Sequence, residues 1–223
     1  MQIVAIPTIG ASKFAPRLYR NMAVASIERG IKIMVMSNLN HAEVAQQVVD
    51  GGLQPGVIVN TEGQGLYEQW GSAVTAGLLQ GATAVHILND DVILPPLSAV
   101  GMYDFMEQHR DVAMAGYDYK TNLVIGKPVA EPVVGSWRMG GIGGFAFAVN
   151  PEISGVPDCQ FEWWGGDDDW VWSVLKSKRK AVLVRGLPVR HPEPEQSAVT
   201  QEWTGPAKGR DHGRLLAKWG QSW

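Results

Sequence analysis

The feature that most constrains this chain is an alternation of short apolar runs and helical segments over its first half. The predicted strands are 2–6, 31–36, 57–59, 83–88 and 112–115, and the predicted helices are 14–29, 41–49, 66–79 and 98–109, the last capped by Ser98. Strands separated by helices favour parallel pairing, because the chain must cross the sheet between them. The pattern therefore predicts an α/β fold with a mostly parallel sheet flanked by helices.

The second half of the chain has a different character, although no linker or repeat separates it from the first. We predict, in order, an irregular strand or hairpin at 120–134, a glycine-rich turn at 140–144, and a strand at 145–149. A helix over 170–176 and a strand at 181–184 follow. The tail after Pro188 is rich in proline, charge and tryptophan, with a short helix expected near Leu215.

Composition indicates a globular chain that can bury a large core. The 223 residues are 45% hydrophobic and 18% charged, which is usual for one domain. The single cysteine, Cys159, cannot form an internal disulfide. Apolar runs fall well short of the roughly 20 residues of a membrane span, and Pro7 interrupts the N-terminal run. We therefore expect a cytoplasmic protein.

The net charge of −3 hides an uneven distribution. Residues 176–223 contain ten Lys or Arg and four Asp or Glu, so this part carries a net charge of +6 and the remainder −9. An acidic body with a basic end suits a metal site facing an anionic ligand. The same distribution is also produced by chance clustering on a solvated surface.

The first acidic cluster, Asn89-Asp90-Asp91, directly follows the apolar run 85–88. These residues are predicted to lie at the carboxyl end of the fourth strand, where open α/β sheets bind their ligands. Two adjacent carboxylates repel each other, and a divalent cation relieves that repulsion. The simpler alternative is an acidic turn in which Pro95-Pro96 stops the strand.

A second acidic cluster, Asp167-Asp168-Asp169, follows Trp163-Trp164-Gly165-Gly166. Acids are favoured at a helix N-terminus, and this alone accounts for one or two of them. Tryptophan faces suit the apolar side of a sugar ring, and glycines allow a ligand to approach the backbone. Consecutive helical side chains point about 100° apart, so at most two of the acids can face one cleft. Crowding by like charges makes a carboxylate a better general base.

Taken together, these motifs resemble those of GT-A glycosyltransferases of the family-two kind. Leu88-Asn89-Asp90-Asp91-Val92 resembles the Asp-x-Asp type signature of that family. The resemblance implies that Asp91 binds a metal, either Mn²⁺ or Mg²⁺, that holds the donor diphosphate. It also implies that Asn89 and Asp90 contact the donor, with Asn89 replacing the usual first acid.

The second cluster is similar to the Trp-Gly-Gly-Glu-Asp-Asp run of metal-dependent galactosyltransferases. The resemblance implies that Asp168 is the catalytic base and that Asp167 touches the acceptor. Trp164, Gly144 and Trp137 are further acceptor-side candidates. Gly144 belongs to Gly143-Gly144-Phe145-Ala146, which resembles the glycine-rich strand that precedes the base.

The resemblance extends to the remaining candidates. Pro7 and Thr8 match the opening strand and turn that hold the nucleotide base, and Asn38 ends the second strand where the family usually has Asp. His191 lies where such enzymes often place a late metal ligand. Arg138 and Arg190 could assist the diphosphate.

The resemblance implies a GT-A fold in which a smaller mixed sheet lies on the acceptor side. We expect one catalytic domain over 1–190, divided into a nucleotide-sugar-binding half at 1–118 and an acceptor and catalytic half at 119–190. The tail 191–223 is expected to pack on or beside the active site.

The implied reaction moves a hexosyl group from a nucleoside-diphosphate sugar, with a UDP-sugar the first choice, to an acceptor hydroxyl with inversion. The acceptor is a glycan, a protein or a modified nucleic acid. The basic, Trp-containing tail, with Lys208, Arg210 and Arg214, motivates the nucleic-acid option.

Two other classes of protein are compatible with parts of the sequence. A sugar-phosphate nucleotidyltransferase needs a glycine-rich, basic first loop to bind a triphosphate, and residues 9–13 match this only thinly. It also leaves the Trp-Gly-Gly-acid run unexplained. A non-enzymatic carbohydrate-binding protein would use the aromatic residues but not the acids.

Overall fold

A computed structural model describes residues 1–10, 12–119, 124–134, 141–192 and 204–220. Within these residues, eight strands form one sheet in the order β3-β2-β1-β4-β7-β5-β8-β6. In chain order the elements are β1 Gln2–Thr8, α1 Ala15–Arg29, β2 Lys32–Ser37, α2 His41–Asp50, β3 Ile58–Asn60, α3 Leu66–Leu79, β4 Ala84–Leu88, α4 Pro96–Gln108, β5 Val112–Asp118, β6 Val129–Pro132, β7 Ala146–Val149, α5 Gly166–Lys176, β8 Lys180–Pro188 and α6 Thr204–Trp219.

The predicted α/β architecture is confirmed, including the alternation that suggested it. Strands β1 to β4 pair in parallel, and β5 pairs in parallel with β8. Strand β7 runs antiparallel between β4 and β5, and β6 pairs antiparallel with β8 at the edge. A smaller mixed sheet was expected on the acceptor side. The mixed pairing is instead made by β5 to β8, which belong to this same sheet.

Strand order changes direction beside β1. The chain moves outward from β1 to β2 and β3, and then returns to add β4 on the other side of β1. The loops that follow β1 and β4 therefore lie beside each other, at the carboxyl ends of two adjacent parallel strands. Open α/β sheets bind their ligands at the carboxyl ends of the strands next to such a point.

The core has two layers, one on each face of the sheet. Helices α1, α2 and α4 cover one face through residues such as Leu18, Val44 and Met102. Helices α3, α5 and α6 cover the other face through residues such as Trp70 and Trp170. Every residue of β1 and β4 is buried, as expected for parallel strands packed on both sides.

Helix α4, helix α6 and the region of the predicted hairpin differ from the sequence-based predictions. Helix α4 begins at Pro96 after Pro95, so Ser98 is buried in its first turn and does not cap it. Proline is favoured at this position because the first helical N–H has no partner within the helix. The tail helix α6 is not short, since it extends over 16 residues. Of the predicted hairpin at 120–134, the strand is limited to β6, and residues 120–123 lie outside the described part.

Among the helices of the described residues, none combines the length and the apolar character that crossing a membrane requires.

The buried His86 makes the core sensitive to acid. Its ring lies in β4 between the Gln2 side chain, 2.5 Å from Nε2, and the Tyr117 hydroxyl, 3.4 Å from Nδ1. Burial lowers the pKa of His86 to about 4, because a charged imidazole would lose its hydration. The folded state therefore excludes a proton that the unfolded state binds below pH 6.5.

We expect the free energy of unfolding to fall between pH 6.5 and about 4 by ~3 kcal/mol from His86 alone. Replacing it by glutamine (His86→Gln) should flatten this part of the pH profile of urea denaturation. The exposed His212→Gln is the matched control and should leave the profile as in wild type. Identical profiles for all three proteins would contradict this expectation.

Candidate functional site

Asp91 and His191 are brought together although 100 residues separate them. Asp91 Oδ2 lies 2.9 Å from His191 Nε2, and both side chains are only about 15% exposed. Their backbones are fixed by a short antiparallel bridge, in which Ile93 and Arg190 exchange hydrogen bonds of 2.8 and 3.0 Å. The loop after β4 and the segment after β8 therefore meet at one end of the sheet.

The remaining oxygens in this loop suit a cation. Within the described part of the chain, Asp91 Oδ1 and Asn89 Oδ1 are buried without a hydrogen-bond donor. A buried acceptor without a partner is costly unless a ligand satisfies it. No group of three or more His, Cys, Asp or Glu among these residues could hold a metal ion. Asp91 and His191 would thus be two protein ligands, which fits a cation that completes its shell with phosphate and water.

Asp90 points away from this pair and toward the end of β1. Its carboxylate accepts a hydrogen bond from the Thr8 hydroxyl, and its carbonyl accepts one from Ser12 at 2.9 Å. Desolvation raises the pKa of Asp90 to about 7, despite the Thr8 hydrogen bond. Asp90 and Thr8 were both expected to contact the donor, and here they bind each other at the ends of the adjacent strands β1 and β4.

The other two donor-side candidates are also buried. Pro7 lies in β1, and Asn38 follows β2. The Asn38 backbone N–H donates to the Thr8 carbonyl at 3.0 Å, and its side-chain amide donates to the Gln64 carbonyl at 2.6 Å. Asn38 therefore ties the carboxyl ends of β1 and β2 to the loop before α3.

Asp167 lies at the start of α5 and is held by two donors. The Gly144 N–H donates to Asp167 Oδ2 at 3.1 Å, and the Tyr67 hydroxyl donates to Oδ1 at 3.4 Å. A side chain at position 144 would collide with this carboxylate, because an added Cβ would lie 2.5 Å from Oδ2. Burial raises the pKa of Asp167, and its hydrogen bonds, led by one from the backbone of Asp168, oppose that rise.

Asp168 is almost completely buried, with 1% exposure. It lies close enough to Tyr119 for its charge to affect that phenol. Burial is the main cause of the raised pKa of Tyr119; the charges of Asp118 and Asp168 also raise it, and Arg185 lowers it. The Tyr119 ring packs edge-on against Phe145 at 5.8 Å.

The two acidic clusters are joined by two consecutive residues. Gly144 donates to Asp167 through its N–H, and the Phe145 carbonyl accepts a 2.8 Å hydrogen bond from the Asn89 N–H. The Phe145 ring also stacks on His191, with centroids 4.7 Å apart. Asp91 and the acids of α5 therefore lie around one region of the protein, at the same end of the sheet.

Helix α6 organises the loop that precedes these acids. The Asp211 carboxylate is fully buried and accepts hydrogen bonds of 2.8–3.1 Å from three successive N–H groups, those of Glu162, Trp163 and Trp164. Arg214 donates to the same carboxylate at 2.8 Å. Trp164, an acceptor-side candidate, is thereby fixed in the partly exposed loop before α5.

Asp211 was not identified from the sequence. The signal for it was present, because Ala207, Asp211 and Leu215 form the buried stripe of α6 at a spacing of four residues. An acid within an apolar stripe indicates a buried polar partner. The helix itself was expected only near Leu215, so the stripe was not recognised.

Basic residues of α6 are engaged in ion pairs. Arg210 binds both oxygens of Glu162 at 2.7 and 2.9 Å, Arg214 binds Asp211, and Lys218 lies 2.9 Å from Asp169. Their charges are therefore balanced within the protein. This weakens the electrostatic reason for expecting a nucleic-acid acceptor.

Arg190, Arg138 and Trp137 are the remaining candidates from the sequence. Arg190 contributes its backbone to the bridge with Ile93, and its side chain is exposed. Trp137 and Arg138 lie outside the described residues, as do Trp203 and Trp223 of the tail.

The third acid of the cluster, Asp169, is bound by side chains of α6. It is 2% exposed and accepts a 2.7 Å hydrogen bond from the Trp219 indole, in addition to its contact with Lys218. It therefore fastens the end of α6 to the start of α5.

We expect Asp169→Asn to lower the free energy of unfolding by about 1–3 kcal/mol, because the buried charge-assisted contact with Lys218 is lost. Urea denaturation measures this. Asp158→Asn is the matched control, since Asp158 binds the same lysine at 3.0 Å but is 30% exposed; it should cost less than about 1 kcal/mol. Equal losses in the two variants would argue against a fastening role for Asp169.

Comparison with known proteins shows similarity in structure but not in sequence. No protein-family model matches the chain, and no curated protein matches it. Solved structures do match. Glucosyl-3-phosphoglycerate synthase from Mycobacterium tuberculosis, in complex with Mn²⁺ and UDP-glucose, superposes with a TM-score of 0.68 at 11% identity, over 100% of this chain and 80% of that one.

A second match is the mannosyltransferase PcManGT from Pyrobaculum calidifontis, in complex with GDP-Man and Mn²⁺. It has a TM-score of 0.62 and 12% identity, and the alignment covers 97% of this chain and 64% of that one. At such low identity the likeness concerns the fold. It confirms that this chain, with its eight-stranded, helix-flanked sheet, has the GT-A glycosyltransferase fold.

Proposed function

We propose that this protein is a metal-dependent glycosyltransferase that moves a hexosyl group from a nucleoside-diphosphate sugar to an acceptor hydroxyl. The observation that carries the proposal is the link through Gly144 and Phe145, which joins the Asp91–His191 pair to the acids of α5. A cation site and a base close to each other are what this reaction requires. The fold shared with sugar-nucleotide-bound transferases supports the same reading.

The donor would bind beyond the carboxyl ends of β1 and β4. Asp91 and His191 would hold Mn²⁺ or Mg²⁺, and the imidazole ligand favours the transition metal. When bound there, the cation would offset the negative charge that builds up on the leaving diphosphate. Asn89, whose Oδ1 has no hydrogen-bond partner among the described residues, is available to the donor or to the cation. The exposed Arg190 could reach the diphosphate.

The nucleotide is proposed to be UDP. One neighbour in the comparisons is bound to UDP-glucose and another to GDP-Man, so the fold accommodates more than one base. Residues 1–118 would form the donor half and residues 119–190 the acceptor and catalytic half, with the tail from 191 beside the site.

Asp168 is proposed as the general base that takes the proton of the acceptor hydroxyl as it attacks the anomeric carbon. A base on the acceptor side, opposite the leaving diphosphate, implies single displacement with inversion. Asp167, fixed by Gly144 and Tyr67, would receive a hydrogen bond from the acceptor or donate one to it when protonated. Trp164 would present a ring to an acceptor sugar. The acceptor class stays open among glycan, protein and modified nucleic acid.

The test of the metal side is a hydrolysis screen of UDP-, GDP-, TDP- and CMP-sugars with Mn²⁺. We expect free nucleotide from one of these donors with wild type, and at least a ~100-fold slower release with Asp91→Ala, because the leaving charge is no longer balanced. Asp104→Ala is the control, since Asp104 pairs with Arg29 on the surface. Nucleotide release that needs no metal, or that persists in Asp91→Ala, would refute the proposal.

The test of the base is Asp168→Asn. We expect the rate of nucleotide release to fall by about 10²–10⁴-fold, since a positioned base contributes that much, while the dissociation constant of the Mn²⁺–nucleotide complex stays close to wild type. Calorimetry gives the second quantity. Wild-type turnover by Asp168→Asn would exclude it as the base. Pyrophosphate release from a nucleoside triphosphate and a sugar phosphate would point to a nucleotidyltransferase instead.

A further inference from the structure

We propose that Phe145 is a positioning residue, which holds the imidazole of His191 in the orientation that directs Nε2 toward Asp91. This inference rests on the proposed function, because it concerns the metal side of that site. The Phe145 ring carries no hydrogen-bond donor or acceptor, so its chemistry alone does not indicate a role.

The two rings are stacked, with nearly parallel planes. Their centroids are 4.7 Å apart and their planes differ by 13°, which is within the range of favourable aromatic stacking. The bridge between Ile93 and Arg190 fixes the backbone beside His191, but a backbone bridge leaves the ring free to rotate about its side-chain bonds. Stacking against Phe145 restricts that rotation, and the 2.9 Å contact with Asp91 shows the orientation it favours.

Phe145 is itself held from several directions. Its carbonyl accepts the Asn89 N–H at 2.8 Å, and the edge of Tyr119 packs against its ring. Gly143 is needed for the ring to fold back over the turn, because an added Cβ there would lie 2.5 Å from Cε1 of Phe145. The glycine pair 143–144 thus has two separate purposes, one for the Phe145 ring and one for Asp167.

A preoriented ligand binds a metal more tightly than one that must first be ordered. Contacts that orient metal ligands typically change metal affinity by 10–100-fold when they are removed. The physical reason here is entropic, since an unstacked imidazole samples several rotamers of which only some direct Nε2 toward Asp91.

The chain offers a matched control two residues further on. Phe145 precedes β7 and packs against the core layer of α1, α2 and α4. Phe147 lies within β7 and belongs to the layer on the other face of the sheet, where it packs edge-on against Trp70 and Trp170. Phe147→Leu removes the same atoms as Phe145→Leu, but from a core site that is 1% exposed and whose ring partners are Trp70 and Trp170.

The experiment is a titration of Mn²⁺, followed by the EPR signal of the free ion, with and without UDP. We expect Phe145→Leu to weaken Mn²⁺ binding at least tenfold, and Phe145→Tyr to remain within about threefold of wild type because it keeps the stack. Gly143→Ala, which displaces the ring without deleting it, should resemble Phe145→Leu. Phe147→Leu should lower the unfolding temperature more than Phe145→Leu does, yet bind Mn²⁺ as wild type does.

The outcomes separate the inference from the proposed function. Wild-type Mn²⁺ affinity in Phe145→Leu, or an equal loss in Phe147→Leu, would overturn the positioning role alone. A wild-type protein that binds neither Mn²⁺ nor UDP would overturn the metal site itself and this inference with it. Weak binding in Phe145→Leu that Phe145→Tyr does not share would support the stack as its cause.

Discussion

The site depends on two neighbouring residues at the entrance to β7. The Gly144 N–H binds the first acid of α5, and the Phe145 carbonyl binds the backbone at Asn89. Because β7 runs antiparallel between β4 and β5, its amino-terminal end meets the carboxyl ends of those strands. One turn can therefore contact both acidic clusters at once, and neither cluster needs to contact the other directly.

The C-terminal helix holds the loop before α5 and the start of α5 in place. The buried Asp211 carboxylate of α6 accepts hydrogen bonds from three backbone N–H groups of the loop before α5. At the other end of the same helix, the Trp219 indole donates to Asp169. Unpaired N–H groups in a tight loop would otherwise carry a desolvation cost. The three acids of α5 consequently divide into different environments. Asp167 faces the glycine turn, Asp169 faces α6, and the buried Asp168 lies close to Tyr119.

Much of the fold could be predicted because its pattern is local. The apolar runs 31–36 and 83–88 and the helix 66–79 lie within a residue or two of β2, β4 and α3, since burial on both faces produces a continuous apolar run. The beginning of α4 and the length of α6 could not be predicted in the same way. At the start of α4, proline stands where a side-chain cap was expected. The apolar stripe of α6 includes the buried acid Asp211, whose backbone partners are distant in sequence.

The sequence by itself determined the fold class and the two acidic clusters, because strand and helix periods and acid runs are properties of neighbouring residues. Tertiary structure alone decided which groups meet. It turned Asp90 toward Thr8 and Asp91 toward His191, although the two acids are adjacent, because successive side chains leave the backbone in different directions. It also brought Phe145 next to His191 and Asn89, and Asp211 next to Trp163, which are about 45 to 60 residues away in the chain. No local pattern encodes that proximity, since the packing of the sheet and its helices creates it.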